Sequence, residues 1–203
     1  SVASKYLKSK FPAIKIGGYG SCGFYTLTQK TAPAVYKNFI TFFEDFLKMV
    51  KKENCPLDFY SWHIYTGDEN ELLTHAKFVR DTLNSYGFEK TEIHLNEWNI
   101  NSEGEGFAEK HTMTGASFNA AVLSLMQNTD YVDKAMYYAF QLSSRYNGFM
   151  NLNDLSTDLP WYSFAAYGKL YNLVSSVSIE NHCPKIYTIA ATNSEQSAIL
   201  LSN

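Results

Sequence analysis

Apolar positions along the chain change their period several times, and the changes mark out a strand–helix alternation. Val2, Tyr6, Leu7 and Phe11 recur at helical spacing until Pro12 stops the run. Ile14-Lys15-Ile16 then predicts a short strand leading into the permissive backbone of Gly17-Gly18. Residues 33–52 place Tyr36, Phe39, Ile40, Phe43, Phe46, Leu47 and Val50 on one broad face, the pattern of an amphipathic helix that Cys55-Pro56 breaks. Residues 57–65 read as a second, aromatic-rich strand. Leu72, Leu73, Ala76, Val79 and Leu83 predict a helix over 69–86, closed by Gly87. A third strand follows over 91–98, then a polar, Gly-containing loop over 99–107 and a helix of small and apolar residues over 109–128. A fourth strand over 134–140 and a helix over 161–173 complete the series. After Pro184 the rhythm changes, and residues 186–191 and 198–201 form short alternating strands with no helix between them.

Four strands, each followed by a helix, imply an α/β fold with a parallel sheet and helices outside. Four such units make half of a (β/α)8 TIM barrel, which leaves two sheet edges and an apolar face uncovered. The last strands read as the start of a separate β-domain. A doubly wound sheet is the competing architecture, but its Gly-x-Gly-x-x-Gly phosphate turn is missing, and Gly17-Gly18-Tyr19-Gly20 is too short a match.

The chemistry concentrates in Ile93-His94-Leu95-Asn96-Glu97-Trp98-Asn99, a short apolar run that ends in a carboxylate beside an indole and an amide. Glu97 is placed at the carboxyl end of the third strand, where barrels gather their functional groups. An ionised carboxylate held there is costly unless something pairs with it. The structural alternative is a salt-bridged glutamate capping the next helix. His63 and Tyr65, at the end of the second strand, share side-chain parity and point to one mouth. Tyr65 is a donor candidate for Glu97, and His63 either lines the same mouth or is a core histidine. Trp98 reads equally as a stacking platform or a packing residue. Asp58, at the start of its strand, is structural, and Arg145 lies in a loop where it is either solvated or meets an acidic group.

Composition narrows the partners. At 203 residues and 45% hydrophobic, the chain is long enough for one sizeable core. Seventeen basic and 20 acidic residues give a net charge of −3 with no basic stripe, which argues against nucleic acid. No run approaches eighteen consecutive apolar residues, so no membrane span is expected. The 15 tyrosines and 14 phenylalanines suit a sugar-binding cleft, although most such rings serve the core. Cys22, Cys55 and Cys183 are odd in number and widely spaced, as isolated thiols rather than a disulfide framework or zinc site. No metal-ligand cluster is visible, and neither metal nor cofactor is expected.

In this order and spacing the chain resembles the carboxyl-terminal half of a clan A glycoside hydrolase, most like family 39, which includes β-xylosidases and α-L-iduronidases. Phe11-Pro12-Ala13-Ile14-Lys15-Ile16-Gly17-Gly18 resembles that family's fifth barrel strand, and Asp58-Phe59-Tyr60-Ser61-Trp62-His63-Ile64-Tyr65 its sixth. Leu95-Asn96-Glu97-Trp98-Asn99 is similar to the seventh-strand motif carrying the nucleophilic glutamate, and residues 133–141 take the eighth-strand place. Leu159-Pro160-Trp161-Tyr162-Ser163-Phe164-Ala165-Ala166-Tyr167 is similar to the entry to the last barrel helix, and residues 186–203 to the opening of an accessory β-domain. The resemblance implies a catalytic barrel over 1–178, a β-sandwich beginning at 179, and retaining hydrolysis of a β-xyloside-type or related carbohydrate. It implies Glu97 as nucleophile, with His63, Tyr65, Trp98, Asn99, Tyr138 and Gln141 binding substrate.

Two departures qualify that expectation. Where the clan carries a Trp under the sugar, this chain has Tyr137-Tyr138. The family's acid/base glutamate belongs upstream of residue 1, so the chain reads as beginning inside a domain, inactive alone, its missing leader silent on localisation. Asn70-Glu71 is the one other Asn-Glu and reads as a helix-start acid. Glu97 as the acid/base is disfavoured, because only one strand–helix unit follows it. A different class of reading is a non-catalytic half-barrel that binds carbohydrate or protein and self-associates through its open edges. An unrelated α/β protein with a structural Glu97 is the third.

Overall fold

The computed structural model describes residues 1–101, 108–146 and 148–203. Its first sheet has the order β1 (Gly17–Ser21), β2 (Phe59–Tyr65), β3 (Glu92–Asn99), β4 (Lys134–Tyr137). The four strands run parallel, with Gly20 opposite Ser61 and Ser21 opposite Trp62 where β1 meets β2. The helices are α1 (Val2–Lys10), α2 (Lys37–Lys52), α3 (Glu69–Ser85), α4 (Met113–Gln127) and α5 (Leu159–Tyr171). A second, antiparallel sheet has the order β5 (Ser175–Val177), β6 (Tyr187–Thr192), β7 (Ser197–Ser202). The expected order of elements is present, with β5 added and one strand displaced. Residues 14–16 precede β1, which runs instead through the glycines, because small residues fit beneath the Phe59 ring: a Cβ on Gly17 would lie 2.4 Å from it.

The chain divides into two compact units, the first comprising Ser1–Ile64, Glu71–Trp98 and Tyr131–Met136. Its core is aromatic. Tyr60, Trp62 and Ile64, every second residue of β2, are fully buried. Phe43 of α2 stacks on Tyr60 at 4.2 Å, and Phe24 fills the space between Phe43, Trp62 and Phe78. Two aspartates lock the amino ends of the strands. Asp58 accepts from Ile16 N at 2.7 Å and Lys8 Nζ at 2.8 Å, while Asp133 accepts from Ile93 N at 2.7 Å and Arg80 Nη2 at 3.1 Å. Asp58 therefore has the structural role expected of it. Glu71, which reads as a helix-start acid, is in fact buried, and it accepts hydrogen bonds from Thr28 Oγ1 and Gln29 Nε2.

The second unit comprises Tyr65–Asn70, Asn99–Asp130 and Tyr137–Asn203. Leu170, Leu173, Ile189 and Ala191 form an apolar cluster between α5 and the small sheet. Asn128 Nδ2 donates to the Thr188 carbonyl at 2.9 Å, and Tyr167 Oη to Gln127 Oε1 at 2.7 Å. Asp158 caps α5, accepting from Leu159 N at 2.8 Å, with Pro160 in the first turn. Cys22, Cys55 and Cys183 are free thiols, and no helix among the described residues is long and apolar enough to cross a membrane.

Candidate active site

In the first unit the site grows from the end of β3. Ile93 and Leu95 are fully buried, while His94 takes the opposite face and stacks on Phe59 at 4.4 Å, 9° from parallel. Asn96 and Glu97 are both half-buried and Trp98 is buried again, so burial does not alternate along the end of the strand. Glu97 stands close enough to His63 and Cys22 for its charge to act on both. Burial lowers the pKa of His63, with Glu97 opposing, which leaves the imidazole neutral at pH 7. Burial raises the Cys22 thiol; the Gly23 hydrogen bond works against the shift and Glu97 with it. That shift disfavours the thiolate, the reactive form of the group. Trp98 is 1% exposed, and its ring packs the core.

In the second unit Tyr65, Tyr138 and Asn99 gather around Tyr146, a tyrosine that sequence reasoning missed. The rings of Tyr65 and Tyr138 lie 5.4 and 5.1 Å from the ring of Tyr146, and the Arg145 guanidinium lies 5.7 Å from it. Asn99 is buried and spends its whole amide on structure. Its Nδ2 donates to the carbonyls of Tyr138 at 2.7 Å and Tyr146 at 3.2 Å, and its Oδ1 accepts from Tyr137 Oη at 3.1 Å and Ile100 N at 2.7 Å. All four hydrogen-bonding positions of that side chain are thereby taken. Tyr137 is buried, which pushes its phenol up to about 12, with Asn119 and Asn99 opposing. Tyr138 is exposed, and Gln141 is exposed and donates to Ser143 Oγ at 3.0 Å.

The loop expected over 99–107 lies outside the described residues from 102 onward. Among the described residues no group of three His, Cys, Asp or Glu side chains is placed to hold a metal ion. What the first unit offers chemically is a carboxylate at a strand's carboxyl end with a neutral imidazole beside it; the second unit, taken by itself, carries a tyrosine cluster. Tyr146, Asn96 and Cys22 are the additions.

A family model described as the glycosyl hydrolase catalytic core matches residues 25–162. The chain belongs to that family. Its fold is similar to that of a glucosidase from Croceicoccus marinus, at 24% identity and a TM-score of 0.74, over all of this chain and 42% of that one. It is also similar to a GH39 β-xylosidase from Caulobacter crescentus, at 16% identity and 0.68, over 98% of this chain and 41% of that one. A GH128 endo-β-1,3-glucanase from Amycolatopsis mediterranei matches at 14% identity and 0.54, over 81% and 64% of the two chains. The chain spans about two fifths of the length of the first two, so within this glycosyl hydrolase family the four parallel strand–helix units are part of a (β/α)8 barrel.

Proposed function

We propose that this chain forms part of a retaining glycosidase acting on a β-xyloside-type or related carbohydrate, with Glu97 as its nucleophile. The observation that carries the reading is the position of Glu97: at the carboxyl end of β3, beside neutral His63, in a chain of the glycosyl hydrolase catalytic core family. A Glu97 oxygen attacks the anomeric carbon as the bond from that carbon to the leaving oxygen breaks. A second carboxyl group, supplied from outside residues 1–203, gives its proton to the leaving oxygen. Water, deprotonated by that same group, then attacks the glycosyl–enzyme ester and releases Glu97 with the sugar's configuration kept.

His63 binds a sugar hydroxyl, and Tyr65 donates to the nucleophile. Tyr138 and Gln141, on the exposed end of the loop after β4, meet the substrate. Trp98 and Asn99 serve the site by packing and by holding that loop. The expected boundary between residues 178 and 179 would cut the small sheet, because β5 pairs with β6; the accessory β-part therefore begins at Ser175, and the residues before it belong to the catalytic barrel.

The test is hydrolysis of an aryl-glycoside panel by the complete gene product, with NMR detection of the anomer formed first. Expected are turnover, a first-formed anomer that matches the substrate, and loss of at least about 10³-fold in kcat on Glu97→Gln. An inverted first product would remove the nucleophile role from Glu97. Unchanged turnover in Glu97→Gln would remove it from the chemistry altogether.

A further inference from the structure

We propose that Asn96 is a sugar-contacting residue of the same site, its Oδ1 accepting a hydrogen bond from a hydroxyl of the glycone held against Glu97. The proposal rests on the glycosidase reading and adds to it a specificity determinant. Asn96 has the parity of His94 on β3, whose ring stacks on Phe59 on the face away from the buried Tyr60, Trp62 and Ile64. On that face the Asn96 side chain reaches across β2 toward β1. A Cβ added to Gly20 would lie 3.6 Å from Asn96 Nδ2, and Gly20 pairs with Ser61 in the parallel register. Gly20 has no side chain, and the short side chain of Ser61 donates to the Tyr19 carbonyl at 3.3 Å. These two small residues give the amide the room that it occupies.

Asn96 Oδ1 is buried and has no hydrogen-bond partner among the described residues, and the same is true of His63 Nδ1. Other buried atoms, Trp62 Nε1 and His75 Nδ1 among them, share that state, but Asn96 Oδ1 and His63 Nδ1 both neighbour one carboxylate, so a single ligand there can satisfy the two. A carbonyl oxygen accepts and never donates. Its partner must therefore bring an O–H or N–H, and a carboxylate on the ligand at that point would be repelled. Neutral His63 can take a second hydroxyl. One glycone carrying two free hydroxyls within reach of its anomeric carbon supplies both partners while presenting that carbon to Glu97. Asn96 thus selects for a hydroxyl at one ring position and against an acidic or deoxy group there.

The experiment separates binding from turnover. In the complete gene product, binding of a parent sugar and its monodeoxy analogues is measured by calorimetry for Glu97→Gln and for Glu97→Gln/Asn96→Ala. Hydrolysis of the matching aryl glycosides is measured for the wild type and Asn96→Ala. Expected is one ring position at which the deoxy analogue binds about tenfold more weakly, a penalty that disappears when Asn96 is Ala. Equal weakening of every sugar by Asn96→Ala, or no weakening, overturns the proposal. Binding with that pattern but no turnover sinks the glycosidase reading while upholding the contact. Absence of both binding and turnover overturns the two together.

Discussion

The side-chain amide of Asn99 holds the carbonyl oxygen of Tyr138 at 2.7 Å, tying the last residue of β3 to the loop that leaves β4. The same amide holds the Tyr146 carbonyl and receives the Tyr137 hydroxyl. Asn99→Ala leaves two carbonyls and a buried phenol without their partner and is expected to cost about 1–3 kcal/mol. Asn99→Asp costs more, since a carboxylate would face two carbonyl oxygens. Urea unfolding of the two variants checks the order. The loop's tyrosines should then lose substrate affinity together, raising KM for all sugars alike.

The charge of Glu97 opposes the effect of burial on His63. Its removal in Glu97→Gln is therefore expected to lower the His63 pKa further, so that the ring stays neutral to more acidic pH. A ring-nitrogen NMR titration of the wild type and the variant measures the difference. An unchanged midpoint would mean that the two groups do not feel each other.

His75 is fully buried, with Nε2 at 3.0 Å from Thr28 Oγ1 and 4.0 Å from Glu71, and burial drops its pKa from 6.5 to about 4 despite the Glu71 charge. Between those values the unfolded chain binds the proton and the folded one does not. Stability therefore falls as pH falls through that window, with a limiting slope of about 1.4 kcal/mol per pH unit. Above pH 6.5 this contribution is complete. His75→Gln should flatten the slope when urea midpoints are compared at pH 7, 5.5 and 4.5.

Gly17 lies against the face of Phe59, and a Cβ there would come within 2.4 Å of the ring. Phe59 is itself stacked on His94, so it cannot yield without disturbing a second side chain. Gly17→Ala is expected to destabilise by about 1–3 kcal/mol. Adding Phe59→Leu should recover part of that loss, and a double-mutant cycle in thermal unfolding reads the coupling.

Much of the sheet was legible because its signals are local. The periodicity of Phe43, Leu47 and Val50, the aromatic run of β2 and the Ile93/Leu95 alternation all report which face of one element is dry. Chain order and strand–helix spacing then led to a partial barrel. Local signals failed where a neighbouring strand decides the backbone. β1 passes through glycines rather than through Ile14 and Ile16, because a ring on β2 covers that ground. β5 consists of three exposed residues, Ser175–Val177, which become a strand only by pairing with β6.

The candidate site divides along the same line. The sequence by itself determined the carboxylate at the end of an apolar strand, the His63–Tyr65 pair on the strand before it, and the family pattern they belong to, since each depends on residue type and spacing. The tertiary structure alone decided that Asn99 is committed to the backbone of the next loop, that Tyr146 gathers Tyr65, Tyr138 and Arg145, and that Asn96 shares its half-buried state with Glu97. Those outcomes depend on ring contacts and hydrogen bonds between residues some 40 positions or more apart. A side chain's free valences are known only once its neighbours in space, not in sequence, are fixed.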